Sequence, residues 1–231
     1  MNYLVAAVKP WNIACYHAII SRYPGQWRLV SSPEELTPQL VRDFAPRYVF
    51  FPHWSRKVDS EILQLVECVC FHETDVPFGR GGSPIQNLIA AGHTSTVVSA
   101  LRMTETIDAG PVYMKRPLSL YGLAEEIYLR AASIVAAMIL EIISNEPVPA
   151  EQEGAPASFR RRKPEQSLLP MYADSLPLVF DHIRMLDAQT YPLAYVDYGN
   201  LHIAFSRPAL KVQGILCDAL LTMRGSDVDK P

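Results

Sequence analysis

Four short apolar runs separated by segments of helical spacing fill the first 72 residues, and this alternation constrains the fold more than any other feature of the chain. Asn2 to Val8, Trp27 to Val30, Arg47 to Phe51 and Cys68 to His72 are strand-like runs of apolar, β-branched and aromatic character. Between them, Trp11 to Arg22 carries Ile13, Tyr16, His17 and Ile20 at helical spacing before a Pro24-Gly25 stop. Ser32-Pro33-Glu34-Glu35 reads as the N-cap and acidic first turn of a second helix leading to Phe44, and Asp59 to Val66 as a short third. Strands and helices in strict alternation pack as a parallel sheet with helices on both faces. The expected class is α/β, with a Rossmann-like, mostly parallel sheet.

Beyond residue 95 the pattern changes. Thr96 to Met103 and Pro111 to Leu118 are two extended runs joined by an Asp108-Ala109-Gly110 turn, which predicts a β-ribbon. Ala124 to Ser144 predicts a long helix with Ile127, Ala131, Ile134, Val135, Met138 and Ile142 on its apolar face. The loop Asn145 to Ser158, rich in proline, glycine and acids, places a boundary between a main domain, 1–150, and a small α+β C-terminal subdomain, 151–231. In that tail, Phe159 to Glu165 reads as a short basic strand entering a turn and Leu178 to Leu186 as a helix. Tyr191 to Leu210 reads as a hairpin around Gly199-Asn200.

Composition narrows the class. With 49% hydrophobic and 19% charged residues the chain reads as a folded globular protein. A formal charge of −3 offers no bulk attraction for a polyanion, so no nucleic-acid partner is expected. Cys15, Cys68, Cys70 and Cys217 show no CxxC spacing, which predicts reduced thiols, no metal site and a cytoplasmic setting. Lys9, Pro10, Asn12 and His17 interrupt the apolar N-terminus, and the run Ala131 to Leu140 is too short for a bilayer, so no membrane association is expected.

The chemistry concentrates where the fourth strand ends. Val69-Cys70-Phe71-His72 runs into Pro77-Phe78-Gly79-Arg80-Gly81-Gly82-Ser83-Pro84, and Asp108 follows 36 residues after His72 in the second turn. Taken singly, His72 is an ordinary buried histidine and Asp108 an ordinary turn aspartate. Their joint placement beside a glycine loop, at strand ends of an α/β sheet, makes them the candidate site. Gly79 to Gly82 is not a Walker loop, because no Gly-Lys-Ser/Thr follows.

Phe71-His72, Asp75 to Pro84, Ile107 to Pro111 and Arg161-Arg162-Lys163-Pro164-Glu165, in this order, resemble the folate-dependent formyltransferase superfamily. Phe51 to Ser55, Phe78 to Pro84, Asp181 to Ala188 and Tyr191-Pro192 are similar to nucleotide-sugar N-formyltransferases of the pseudaminic-acid type, and to the formylation domain of linear gramicidin synthetase. The resemblance implies an N-formyltransferase that uses N10-formyltetrahydrofolate and a nucleotide-linked amino sugar. The alternatives are an aminoacyl group on a carrier protein or tRNA, and a folate-binding module with impaired catalysis. A methionyl-tRNA enzyme of the superfamily is expected to carry a larger, basic C-terminal domain than this tail. The tail is expected either to close over the acceptor or to form a homodimer surface.

The same resemblance assigns residues. His72 and Asp108 are the implied catalytic pair, the carboxylate favouring a charged imidazolium that donates to the oxyanion and relays a proton. The superfamily's asparagine is replaced by Cys70, which shares a strand face with His72; a thiol is a poor donor, and His53 is the candidate substitute. Trp54 as a wall, the backbone of Arg56 to Val58, and that of Glu105 to Ile107 are the implied folate contacts. Phe78, Arg80 and Gly81 border the channel to the acceptor, with Arg80 available to a diphosphate or a glutamate tail.

Overall fold

A computed structural model describes residues 1–224. The chain separates into two compact units, one formed by Met1–Pro84, Thr96–Leu118 and Tyr128–Phe159, the other by Ile85–Ser95, Ser119–Ile127 and the segment from Arg160 onward.

The first unit is organised by a six-stranded sheet. Strands β1 (Asn2–Ala6), β2 (Gln26–Val30), β3 (Tyr48–Pro52) and β4 (Glu67–His72) are parallel neighbours in the order β2-β1-β3-β4. The short β5 (Arg80–Gly81) lies in the loop after β4. Strand β6 (Ser95–Arg102) pairs antiparallel with β4, and β7 (Val112–Ser119) closes the sheet beyond it. This is the expected mostly parallel α/β sheet with its ribbon.

Helices α1 (Pro10–Ala18), α2 (Pro38–Phe44), α3 (Ser60–Leu65) and α5 (Ala124–Asn145) complete the alternation, while α4 (Pro84–Ala90), apart from Pro84, falls in the second unit. All five residues of β3 are buried, as a strand covered on both faces requires. On one face Val41 of α2 and Ile62 of α3 pack with Leu4, Val49, Phe51, Val58 and Cys68. On the other, Trp11 of α1 stacks on Tyr128 of α5 at 4.7 Å, and Trp27, Phe50 and Phe71 form a row of rings. Each large apolar side chain so buried contributes about 1.5–3 kcal/mol, which fixes the register on which the site depends. Helix α5 is long and apolar enough to cross a membrane, but half of its apolar window is packed inside the protein.

Two local expectations change. The helix expected from Ser32 splits into a single 3-10 turn, Pro33–Glu35, and the separate α2. Pro38 keeps Thr37 extended, at φ −116° and ψ 153°, and the Thr37 hydroxyl caps the Leu40 N–H at 3.1 Å. The basic strand shrinks to β8 (Ser158–Phe159), a two-residue parallel partner of β5, while Arg160 to Lys163 are irregular.

The second unit holds α4, helix α6 (Leu176–Arg184) and an antiparallel sheet of β9 (Ala194–Tyr198), β10 (Leu201–Lys211) and β11 (Gly214–Met223) in the order β11-β10-β9. The hairpin at Gly199-Asn200 is as expected. Strand β11 was not, because Leu216, Leu220 and Leu221 of this edge strand are all exposed and leave no clean apolar alternation to read. Buried Arg184 ties the unit together by donating to Asp181 at 2.6 Å and to the carbonyls of Leu120 and Gly122 at 2.6 and 2.9 Å.

Candidate active site

Strand β4 delivers His72 to a loop that grips it at once. The imidazole is buried, and its Nε2–H donates to the Gly79 carbonyl at 2.8 Å. Thr74 Oγ1 donates to the same oxygen at 3.3 Å, and Ser99 Oγ to the Thr74 carbonyl at 2.6 Å, so strand and loop are laced together. Gly81, at φ +102°, lies where a Cβ would stand 2.5 Å from the Phe159 carbonyl; only glycine lets β5 pair with β8 there.

Asp108 reaches the histidine by an indirect route. Arg102, at the end of β6, is level with Val69, three residues short of His72, which pairs with Ser99. The connection from 103 to 111 therefore rises about 10 Å along β4, at roughly 3.3 Å per residue. Gly110 closes its base, since a Cβ at that position would fall 1.8 Å from the Arg102 carbonyl oxygen. Asp108, at φ +53°, places Oδ2 3.6 Å from His72 Nδ1 and 2.9 Å from the Gly81 N–H that donates to it. Both ring nitrogens of His72 thus face acceptors, and only a ring carrying both protons presents a donor to each. The carboxylate distance is that of an ion pair rather than of a hydrogen bond.

Cys70 shares this corner. Burial, and then the Asp108 charge, push its thiol far above the ordinary range, so it stays protonated and does not supply a thiolate. His53 follows β3 at φ +50°; its Nδ1 faces Glu73 Oε1 at 3.3 Å, and its ring meets the edges of Trp11 and Tyr128. Glu73 is buried, which favours protonation, yet the hydrogen bond to His53 and the charges of His53 and His72 hold its carboxyl below the usual range.

The folate contacts implied by the sequence lie after β3 and in the loop after β6. Trp54 is half-buried and meets the edge of Phe51, and its buried Nε1–H has no hydrogen-bond partner. An orphaned indole donor on a wall lined by Phe51 and Val58 is chemistry that a flat heterocycle rich in acceptors fits. Val58 points into the core and leaves only its backbone for a ligand, whereas Arg56, Glu105 and Ile107 are exposed. Phe78 is exposed beside Phe159, and Arg80 gives Nε and Nη2 to Gln152 Oε1 at 3.1 and 2.8 Å. The sequence reading missed Gln152, Glu73 and the Gly79 carbonyl. No spacing marks Gln152, and a carbonyl has no signature.

Residues 164–222 match the family described as Methionyl-tRNA formyltransferase, C-terminal domain. Methionyl-tRNA formyltransferase from Clostridium thermocellum superposes with a TM-score of 0.93 at 42% identity, covering 96% of this chain and 99% of that one. Methionyl-tRNA formyltransferase from Granulibacter bethesdensis is 29% identical over 64% of this chain and 47% of its own length. The chain spans about half the length of the curated relatives it matches first. In fold alone it resembles HypX from Aquifex aeolicus in complex with tetrahydrofolic acid, with a TM-score of 0.70 at 16% identity over 89% of this chain and 37% of that one. A sugar N-formyltransferase from Shewanella superposes with the same TM-score at 13% identity over 92% and 99%.

Three expectations are corrected by these findings. The nucleotide-linked amino-sugar acceptor falls, because the relatives similar in sequence are named for a tRNA, while the sugar enzyme shares only the fold. The exclusion of a nucleic-acid partner falls with it: a net charge sums the whole chain and says little about one surface. The tail, expected to be unlike the C-terminal domain of a methionyl-tRNA enzyme, matches the family described by that name over residues 164–222. The expected one-carbon donor, N10-formyltetrahydrofolate, is the one that formyltransferases of this family use. With a full-length match at 42% identity behind it, the chain belongs to the formyltransferase superfamily.

Proposed function

We propose that this protein transfers the formyl group of N10-formyltetrahydrofolate to the amine of methionyl-tRNA. The chemistry rests on one observation: His72 and Asp108, 3.6 Å apart, are gripped by the same glycine loop. The acceptor rests on the 42% identity with an enzyme named for it.

When bound, the folate supplies a formyl carbon that the amine attacks, forming a C–N bond as the bond to N10 breaks. His72 turns its Nδ1 toward Asp108 without a tight hydrogen bond, so that proton is the one available to oxygen charge developing on the formyl group. Asp108 holds the ring in place and accepts the proton that the ammonium loses, and the pair returns it through His72 to the departing N10. Gly79 fixes the ring plane through Nε2. Trp54 and the backbone of 56–58 and 105–107 form the folate wall. Arg160, Arg161 and Lys163, exposed at the surface, supply local positive charge for tRNA phosphates despite the negative total.

The test is direct. Purified protein, N10-formyltetrahydrofolate and charged initiator methionyl-tRNA are expected to yield formylmethionine, with KM for the tRNA rising as salt is raised. Folate consumption without formylmethionine would overturn the acceptor, and turnover retained by His72→Ala would overturn the site.

A further inference from the structure

We infer that Gln152 is a positioning residue that sets the catalytic carboxylate. This rests on the formyl-transfer reading of His72 and Asp108 and adds to it a residue outside the pair. The half-buried Gln152 carboxamide makes four contacts. Its Oε1 accepts from Arg80 Nε and Nη2 at 3.1 and 2.8 Å, and its Nε2 donates to the carbonyls of Asp108 and Gly110 at 2.8 and 2.7 Å. A flipped amide would set hydrogens against guanidinium hydrogens and oxygen against two carbonyls, so one orientation alone satisfies the site. Gln152 therefore clamps the turn that presents Asp108 and ties it to Arg80, whose neighbour Gly81 donates its N–H to the Asp108 carboxylate. The carboxylate is held through its side chain by Gly81 and through its backbone by Gln152, and this fixes its distance from His72.

Substitutions separate this role from mere support of the fold. Gln152→Glu keeps an acceptor for Arg80 but removes both donors to the turn, whereas Gln152→Ala removes everything. Both are expected to lower kcat by about 10²-fold, the effect of a misplacement on the order of 1 Å, with KM for the folate within about threefold. Gln152→Glu is expected to lower the melting temperature by only a few degrees, since the contact to Arg80 survives as an ion pair while two carbonyls lose their donors. In an Asp108→Asn background neither change should cost much further activity, because both act through the same carboxylate. Amide hydrogen exchange at Gly81, which needs no substrate, should quicken in both variants as Asp108 Oδ2 is released. Wild-type kcat in Gln152→Glu, full additivity with Asp108→Asn, or unchanged exchange at Gly81 would each overturn the proposal. A protein inactive on methionyl-tRNA would sink the acceptor assignment, while the exchange measurement would still decide the role of Gln152.

Discussion

The two ends of strand β4 carry polar clusters of opposite character. At its start, Glu67 is bonded by the Tyr113 hydroxyl and by Arg47 at 2.9 Å, and Arg47 reaches Glu146 at 3.1 Å. Every partner there is matched, donor to acceptor. Burial drives the Glu67 carboxyl up, but the bonds from Tyr113 and Arg47 and the Arg47 charge bring it below its ordinary value. At the far end of this six-residue strand, His72 faces Asp108 across 3.6 Å with a thiol beside them where an amide is expected. A saturated cluster stabilises and has nothing left to offer a substrate. The looser one leaves His72 Nδ1 without a tight hydrogen bond, the arrangement that the proposed chemistry uses.

Breaking the loose end should cost the most activity. His72→Ala is expected to lower formyl transfer by about 10³-fold with little change in melting temperature, measured as formylmethionine formed under saturating folate. Asp108→Asn should follow with a loss of about 10²-fold in kcat, since the amide keeps the Gly81 contact but not the charge. Breaking the tight end should do the reverse: Glu67→Gln leaves turnover within a few-fold but lowers stability by about 1–3 kcal/mol, read by urea unfolding, because partly buried Tyr113 and Arg47 lose a charged acceptor. A large activity loss in Glu67→Gln would erase the distinction between the ends.

Two smaller effects sharpen the comparison. Glu67 and Glu73 both sit below the ordinary glutamate value of 4.5 in the folded protein. A carboxyl depressed on folding contributes stability that is complete above its unfolded value and is lost as pH falls through the folded one. Stability should therefore decline below about pH 4.5, and Glu73→Gln should flatten that decline in urea titrations between pH 5 and roughly pH 3. Thiol alkylation at neutral pH should label exposed Cys217 well before Cys70, which burial and Asp108 keep protonated.

Much of the architecture was legible because periodicity is local. Val69 and Phe71 announced β4, and the glycines after His72 announced a loop close to backbone. What was hidden depends on partners far along the chain. Pro38 overrode the stronger-looking cap at Ser32 through the conformation it imposes on Thr37. Gln152 meets Asp108 across 44 residues, and His53 meets Glu73 across 20, so neither contact leaves a trace in spacing. The acceptor was misread for a different reason: loop motifs around a folate site are shared by enzymes that formylate unlike amines, and whole-chain charge does not describe the surface a tRNA would touch.

One stretch of three residues, Gly79 to Gly81, holds the ring of His72 by a carbonyl and the carboxylate of Asp108 by an amide. The imidazole and the carboxylate consequently hang from a common peg. A lineage of such proteins could not retune one without disturbing the other, so drift toward new amines has to be written into the outlying surfaces while this tripeptide stays put.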